Sequence, residues 1–177
     1  MAITLTFAQS IASETDNVAT YTSAAFTPAD SDVLIVFSEV STTTGVLSIE
    51  DSLGGAWSRT EFIAVAGLTD TTLECWVRDT TVSAVSITVT CKTSIADGAG
   101  CSAHVYRVAG ANGAGLACIV QDKSATGSNG TPAVTLNASA ATTNATLVCA
   151  TISANPAGLT EPTGWTEGAD TGYASPT

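Results

Sequence analysis

The sequence predicts an all-β fold, an antiparallel β-sandwich of about eleven short strands, from three observations. Apolar residues recur with period two along most of the chain, and helical periodicity is nearly absent. Thr and Val dominate the apolar runs, and β-branched side chains suit a pleated surface. Leu, Lys, Glu and Arg, the usual helix formers, are scarce.

The strands follow in order. In "ITLTF", Ile3, Leu5 and Phe7 share one face, with Thr4 and Thr6 on the other. Residues 18–26, 32–40, 45–50, 59–66 and 72–78 read as the next five strands, divided by turn chemistry such as "TPADSD" and "SLGG". In "VSITVTCK", Val85, Ile87, Val89 and Cys91 oppose Ser86, Thr88, Thr90 and Lys92, the pattern of a half-buried strand. Residues 100–108, 115–121, 131–137 and 145–152 complete the set, separated by "GANGAG" and "GSNG". At 177 residues with 45% hydrophobic and 12% charged content, the chain is expected to form a single domain spanning 1–177.

Charge excludes one class of partner. Five Lys+Arg stand against sixteen Asp+Glu, a net charge of −11, whereas phosphate binding needs clustered cations. Nucleic acid is therefore not expected as a partner. No apolar run approaches the roughly 18 to 20 residues of a membrane span, and "MAITLTFAQS" lacks the basic and long apolar regions of a signal peptide. The expectation is a chain made in a cytoplasm, with no membrane partner. Cys75, Cys91, Cys101, Cys118 and Cys149 are odd in number and never form a CxxC, so each is read as a small buried hydrophobe, with a disulfide between neighbouring strands as the alternative.

Two turns echo each other. "DSDVLIVFSEVS" precedes "DSLGGAWSRTE", and "TNATLVCATIS" precedes "EPTGWTEGAD"; each pairs an apolar strand with an acid-to-Gly-Trp turn. Repetition at distant places marks a structural device, in which glycine permits the turn and tryptophan covers a sandwich edge. Asp51, Gly54, Gly55 and Trp57 build the first turn, and Gly164 and Trp165 the second.

The segments "DSLGGAWSRT", "TTLECWVRDT", "VSITVTC", "AHVYRVAG", and "TNATLVCATI" with "EPTGWTE", in that order, resemble a family of β-sandwich modules, often jelly-roll-like. Such modules occur in bacteriophage virion proteins and in some bacterial surface or secreted proteins, and the resemblance covers about residues 15–173. It implies a jelly-roll-like sandwich with a structural or adhesive role. Modules of this kind usually continue past the second Gly-Trp turn into closing strands, whereas this sequence stops at "GADTGYASPT". The missing strand is then expected either from further chain or from a neighbouring subunit.

Searching for chemistry yields little. The single histidine, His104, lies with Ser102 and Tyr106 on one strand face, read as a solvated or partner-contacting face rather than a catalytic one. No GxSxG, HExxH or phosphate-binding glycine loop followed by Lys occurs. Glu50 with Asp51, Glu61, Glu74, and Glu161 with Glu167 could be combined as glycosidase carboxylates, but acids are numerous enough for such pairs to arise by chance. Asp30 with Asp32 and Glu50 with Asp51 are oxygen-rich without EF-hand spacing, and are read as solvated turn acids. Neither metal nor other cofactor is expected.

Trp76 alternates with Glu74 and Arg78, opposite Leu73, Cys75 and Val77, which suggests an outer-face tryptophan. Trp57, Trp76, Trp165, Tyr106 and Tyr173 could supply a sugar-stacking platform, and Trp76, His104 and Tyr106 are the candidate partner or glycan contacts. The sequons at Asn129, Asn137 and Asn144 would matter only in a secretory pathway. The leading expectation is a non-enzymatic virion protein, made in the host cytoplasm. Its role would be capsid decoration or another coat-associated function in a tailed phage, contacting other virion proteins and copies of itself as a homo-oligomer. A carbohydrate-binding or adhesive module, in a tail fibre or on a cell surface, is the alternative.

Overall fold

The computed structural model describes residues 3–16, 18–41, 45–64, 71–93, 99–126, 133–149, 163–166 and 168. Eight strands form in chain order: β1 (Thr4–Asp16), β2 (Thr20–Thr22), β3 (Val33–Val40), β4 (Ser48–Asp51), β5 (Trp57–Ala64), β6 (Thr72–Arg78), β7 (Val89–Lys92) and β8 (Ala99–Ala109). A short 3-10 helix, Gly115–Cys118, follows β8. The fold is all-β, and two antiparallel sheets pack together as a β-sandwich. One sheet has the order β1-β8-β3-β6-β5 and the other β2-β7-β4. From β1 to β5 each connection carries the chain to the opposite sheet; β5 and β6 then pair directly, and the chain crosses again at β7 and β8.

Period-two alternation builds the space between the sheets. The five-stranded sheet contributes Ile11, Val36, Val40, Trp76, Cys101, Ala103 and Val105; the three-stranded sheet contributes Tyr21, Ile49, Val89 and Cys91. These side chains share one buried cluster with Val46. At about 25 cal/mol per Å² of apolar surface removed from water, this cluster is the main source of cohesion between the sheets.

The larger sheet is apolar on its other face too. Val33, Ile35, Val77 and Val108 form a second buried cluster, roofed by Ala111, Ala114, Cys118, Ile119 and Leu147 from the chain after β8. Burial on both faces explains why "VLIVFSEV" of β3 opens as a continuous apolar run: it is a central strand between β8 and β6. A third cluster, Leu34, Val82 and Ile87, is packed with Phe26 and Trp57.

Eight strands, rather than about eleven, are present among the described residues. Residues 115–118 coil into the 3-10 turn because Gly113 and Gly115 hold φ of +105° and +60°, conformations that break an extended strand. Residues 133–137 and 145–149 are not strands either. Leu147 of the second segment packs onto the outer face of the large sheet instead. The remainder of those two segments, and the chain end where closing strands were expected, lie outside the described residues.

β1 is longer than "ITLTF" suggested. A bulge between Phe7 and Gln9 shifts its register against β8, so Phe7 faces outward with Tyr106 whereas Ile11 faces the core.

Candidate functional site

Asp51 ends β4 and sits with its side chain fully buried. Its Oδ1 accepts the backbone N–H of Leu53 at 2.9 Å and of Gly55 at 3.2 Å. Its Oδ2 accepts the Trp57 indole N–H at 2.9 Å and the Arg78 Nε–H at 2.8 Å. Both carboxylate oxygens are thus doubly occupied by the protein itself. Burial pushes the Asp51 carboxyl up, but the Arg78, Gly55 and Trp57 hydrogen bonds and the Arg78 charge together hold it below the ordinary carboxylate range.

The glycines of this turn have separate reasons. Gly54 holds φ +72°, a left-handed conformation, with open space where a Cβ would stand. A Cβ on Gly55 would strike the Arg78 guanidinium. Arg78 is otherwise held by its Nη1, which donates to the Thr80 and Thr81 carbonyls and the Thr80 hydroxyl. Asp51, Gly54, Gly55 and Trp57 therefore close one turn onto β6.

A second buried carboxylate lies on the same inward face of β6. Glu74 Oε1 accepts the Val46 N–H at 2.8 Å and Oε2 accepts the Trp76 indole N–H at 2.9 Å. Arg59 approaches Oε2 at 3.6 Å and lays its guanidinium over the Phe62 and Trp76 rings, 4.9 and 5.5 Å from their centroids. Burial raises the Glu74 pKa, only partly offset by Val46, Trp76 and Arg59.

Trp76 is consequently not an outer-face contact residue. It is 6% exposed and packs between the sheets. The alternation with Glu74 and Arg78 was sound; the inference from charge to exposure was not, because both charges are neutralised internally.

His104 and Tyr106 do share a face, as the alternation implied, on the outer side of the large sheet. Phe7 stacks edge-on with Tyr106 at 5.8 Å and lies 6.3 Å from the His104 ring, while Phe37 meets Tyr106 edge-on at 6.3 Å. Both residues are half-buried, and Gly168 lies so close that a Cβ there would strike the Tyr106 hydroxyl. Burial first, and Cys149 second, raise the Tyr106 pKa. Gly164 turns the chain at φ +90°, and Trp165 beside it is 44% exposed.

Three of the remaining candidate acids have internal partners. Asp32 accepts the Arg107 Nε–H at 2.6 Å and the Ala29 N–H at 2.9 Å, which makes it an internal anchor rather than a cation ligand. Glu50 pairs with Lys92, and Glu61 accepts the Ser124 hydroxyl at 2.9 Å. Asp30 is exposed. Glu161 and Glu167 lie outside the described residues. Among the described residues no three His, Cys, Asp or Glu side chains gather at metal-binding distance. An open groove of about 340 Å³ along β1 and β2 is lined by Ser10, Ser13, Thr15, Thr20, Tyr21 and Thr22 with apolar neighbours. Its one phenol, Tyr21, donates to the Thr15 carbonyl at 2.8 Å.

The role of Arg59 and Arg78 was missed in the sequence. Their signal was scarcity: in a chain with five Lys and Arg, Arg59, Arg78, Lys92 and Arg107 each meet a carboxylate. Comparison of the chain with protein-family models, with curated proteins and with solved structures finds no match.

Proposed function

We propose that this chain is a non-enzymatic structural component of a virus particle, a coat-associated or decoration protein of a tailed phage that acts through surface contacts. The observation that carries the reading is the winding of the sandwich. Eight strands alternate between a β1-β8-β3-β6 row and a β2-β7-β4 row, with β5 beside β6. This supports a jelly roll, an architecture that recurs in viral capsid and lectin domains. The shared architecture is an analogy of fold, to which the site adds a second argument. The buried carboxylates Asp51 and Glu74 spend their oxygens on internal donors and stiffen the module.

Such a component works by binding an assembled shell in preference to its free parts. Other coat proteins and further copies of the chain are its partners. The glycan-binding alternative loses Trp76, which is in the core, and rests on the exposed Trp165 instead. The test is sedimentation of unfractionated native source material through a density gradient, with tryptic peptides of the chain followed by mass spectrometry. Migration with particles of viral size, kept after a high-salt wash, is the expected result. Migration as a small free species would overturn the proposal, and binding to a glycan array would then identify the lectin-like role.

A further inference from the structure

Cys91 and Cys101 come from opposite sheets and meet in the middle of the sandwich. Cys91 lies on β7, opposite Tyr21 of β2 and Ile49 of β4; Cys101 lies on β8, opposite Ser13 of β1 and Val40 of β3. Both are fully buried within one apolar cluster, and Cys91 is the neighbour that most raises the Cys101 pKa. A separate contact fixes the same approach. Tyr21 packs beside Cys91 in the small sheet, and its hydroxyl accepts the backbone N–H of Gly100, the residue before Cys101, at 3.3 Å. Gly100, the second residue of β8, holds φ +98°, which only glycine adopts readily.

We propose that Cys91 and Cys101 form a latent inter-sheet disulfide, a covalent staple across the sandwich that closes when the chain folds in the presence of a small-molecule disulfide. The reaction is a thiol–disulfide exchange. The Cys91 and Cys101 S–H bonds break and one Sγ–Sγ bond forms; the oxidant's S–S bond is reduced, and it leaves as two thiols carrying the two protons. The bond needs Cα atoms about 4.4 to 6.8 Å apart, closer than the spacing of about 10 Å typical of stacked sheets. Cys91 and Cys101, buried in one cluster between the two sheets, are the pair through which this sandwich can meet that requirement. The remaining cysteines are differently placed: Cys118 donates to the Gly115 carbonyl at 3.1 Å, and Cys75 lies on the outer face of the large sheet.

Timing follows from burial. The thiolate is the attacking species, and the neighbouring Cys91 together with burial holds the Cys101 pKa well above that of a free thiol. The folded, reduced protein therefore exchanges slowly. Bridging therefore happens during folding. The proposal does not depend on the virion reading, although a particle released from a reducing cytoplasm would meet the conditions that close the bridge.

The test uses the full chain, refolded either in oxidised and reduced glutathione or in excess reductant, then denatured, alkylated and digested with trypsin. Cleavage after Lys92 separates Asp79–Lys92 from Thr93–Arg107, so the two peptides stay joined only if the bridge has formed. The expected result is that joined pair from the oxidised sample, with Cys75, Cys118 and Cys149 alkylated and a melting temperature about 5 to 10 °C above the reduced sample. A C75A/C118A/C149A variant should bridge equally well. Alkylation of both Cys91 and Cys101 after oxidative refolding would overturn the proposal, as would linkage of either to another cysteine.

Discussion

Replacing Asp51 by Asn tests whether the Gly-Gly-Trp turn is held by a buried ion pair. The substitution keeps the shape and leaves a carbonyl oxygen for the Leu53 and Gly55 N–H groups, but turns an amide N–H2 toward two donors, Trp57 Nε1–H and Arg78 Nε–H. Breaking a buried pair by removing one partner costs about 3 to 5 kcal/mol, because the other charge stays buried. The Arg78 side chain is 7% exposed but retains its Nη1 contacts to Thr80 and Thr81, which places the loss at the lower end, about 3 kcal/mol. For a chain of this length that corresponds to a drop of roughly 6 to 12 °C in melting temperature. The assay is urea unfolding followed by tryptophan fluorescence from pH 3 to 8. Because the native Asp51 pKa is depressed, the stability it contributes is complete above the unfolded carboxylate pKa, near 3.9, and is lost as pH falls through the folded value. The wild-type advantage over D51N should thus be flat from about pH 5 to 8 and shrink below about pH 4. The D51N/R78M double mutant should be less destabilised than the sum of its single mutants. A D51N protein within about 0.5 kcal/mol of wild type at pH 7 would refute the ion-pair account.

Three further outcomes are expected. Gly54→Ala should cost about 1 kcal/mol, the penalty of left-handed backbone alone, whereas Gly55→Ala should cost more because its methyl displaces the Arg78 guanidinium; equal denaturation midpoints would contradict this ordering. Glu74 behaves oppositely to Asp51: its raised folded pKa makes its contribution fullest below the unfolded pKa, declining as pH rises through the folded one. Wild type should therefore gain stability relative to Glu74→Gln as pH falls from 7 to 5, and parallel pH profiles of the two unfolding free energies would exclude it. Acrylamide quenching should fall sharply in Trp165→Phe and little in Trp76→Phe, since these indoles are 44% and 6% exposed; comparable losses would place Trp76 in solvent after all.

The sandwich was legible because alternation is a local property, visible wherever one face of a strand is buried. In and just before β7 it placed Ile87, Val89 and Cys91 on the buried side as observed, but Val85, assigned to the same side, is 45% exposed. It overcounted after β8, because alternation records what a segment could do on a pleated surface and not whether it pairs there; "TLVC" serves instead as a covering segment through Leu147. Among the site residues, the turn at Asp51 was readable within seven positions, from the acid to Trp57. Its partner Arg78 is 27 positions away and reaches it through the pairing of β5 with β6, which no local pattern carries. Trp76 was misplaced for a related reason: the buried Glu74 and Arg78 resemble solvent-facing residues until their partners are known.

The ion pairs also shape how copies of the chain should associate. Arg59, Arg78, Lys92 and Arg107 are each committed to an acid, so nearly all the positive charge is consumed internally. With a net charge of −11, the excess negative charge is left to the remaining acids. Like-charged copies repel over a Debye length of about 10 Å at 0.1 M salt, shrinking to about 3 Å at 1 M. Apolar contact between copies, through exposed side chains such as Val120 and Val148, works against that repulsion and is not weakened by salt. Self-association driven by such contacts should therefore strengthen as ionic strength rises, and strengthen again as pH approaches the isoelectric point of about 4.1 while the fold persists. Sedimentation velocity at about 0.02 and 0.5 M sodium chloride distinguishes the cases. A shift toward larger species at high salt fits apolar contact opposed by acidic surfaces, whereas dissociation at high salt would mean that copies are held by intersubunit ion pairs, against the internal commitment of these four cations.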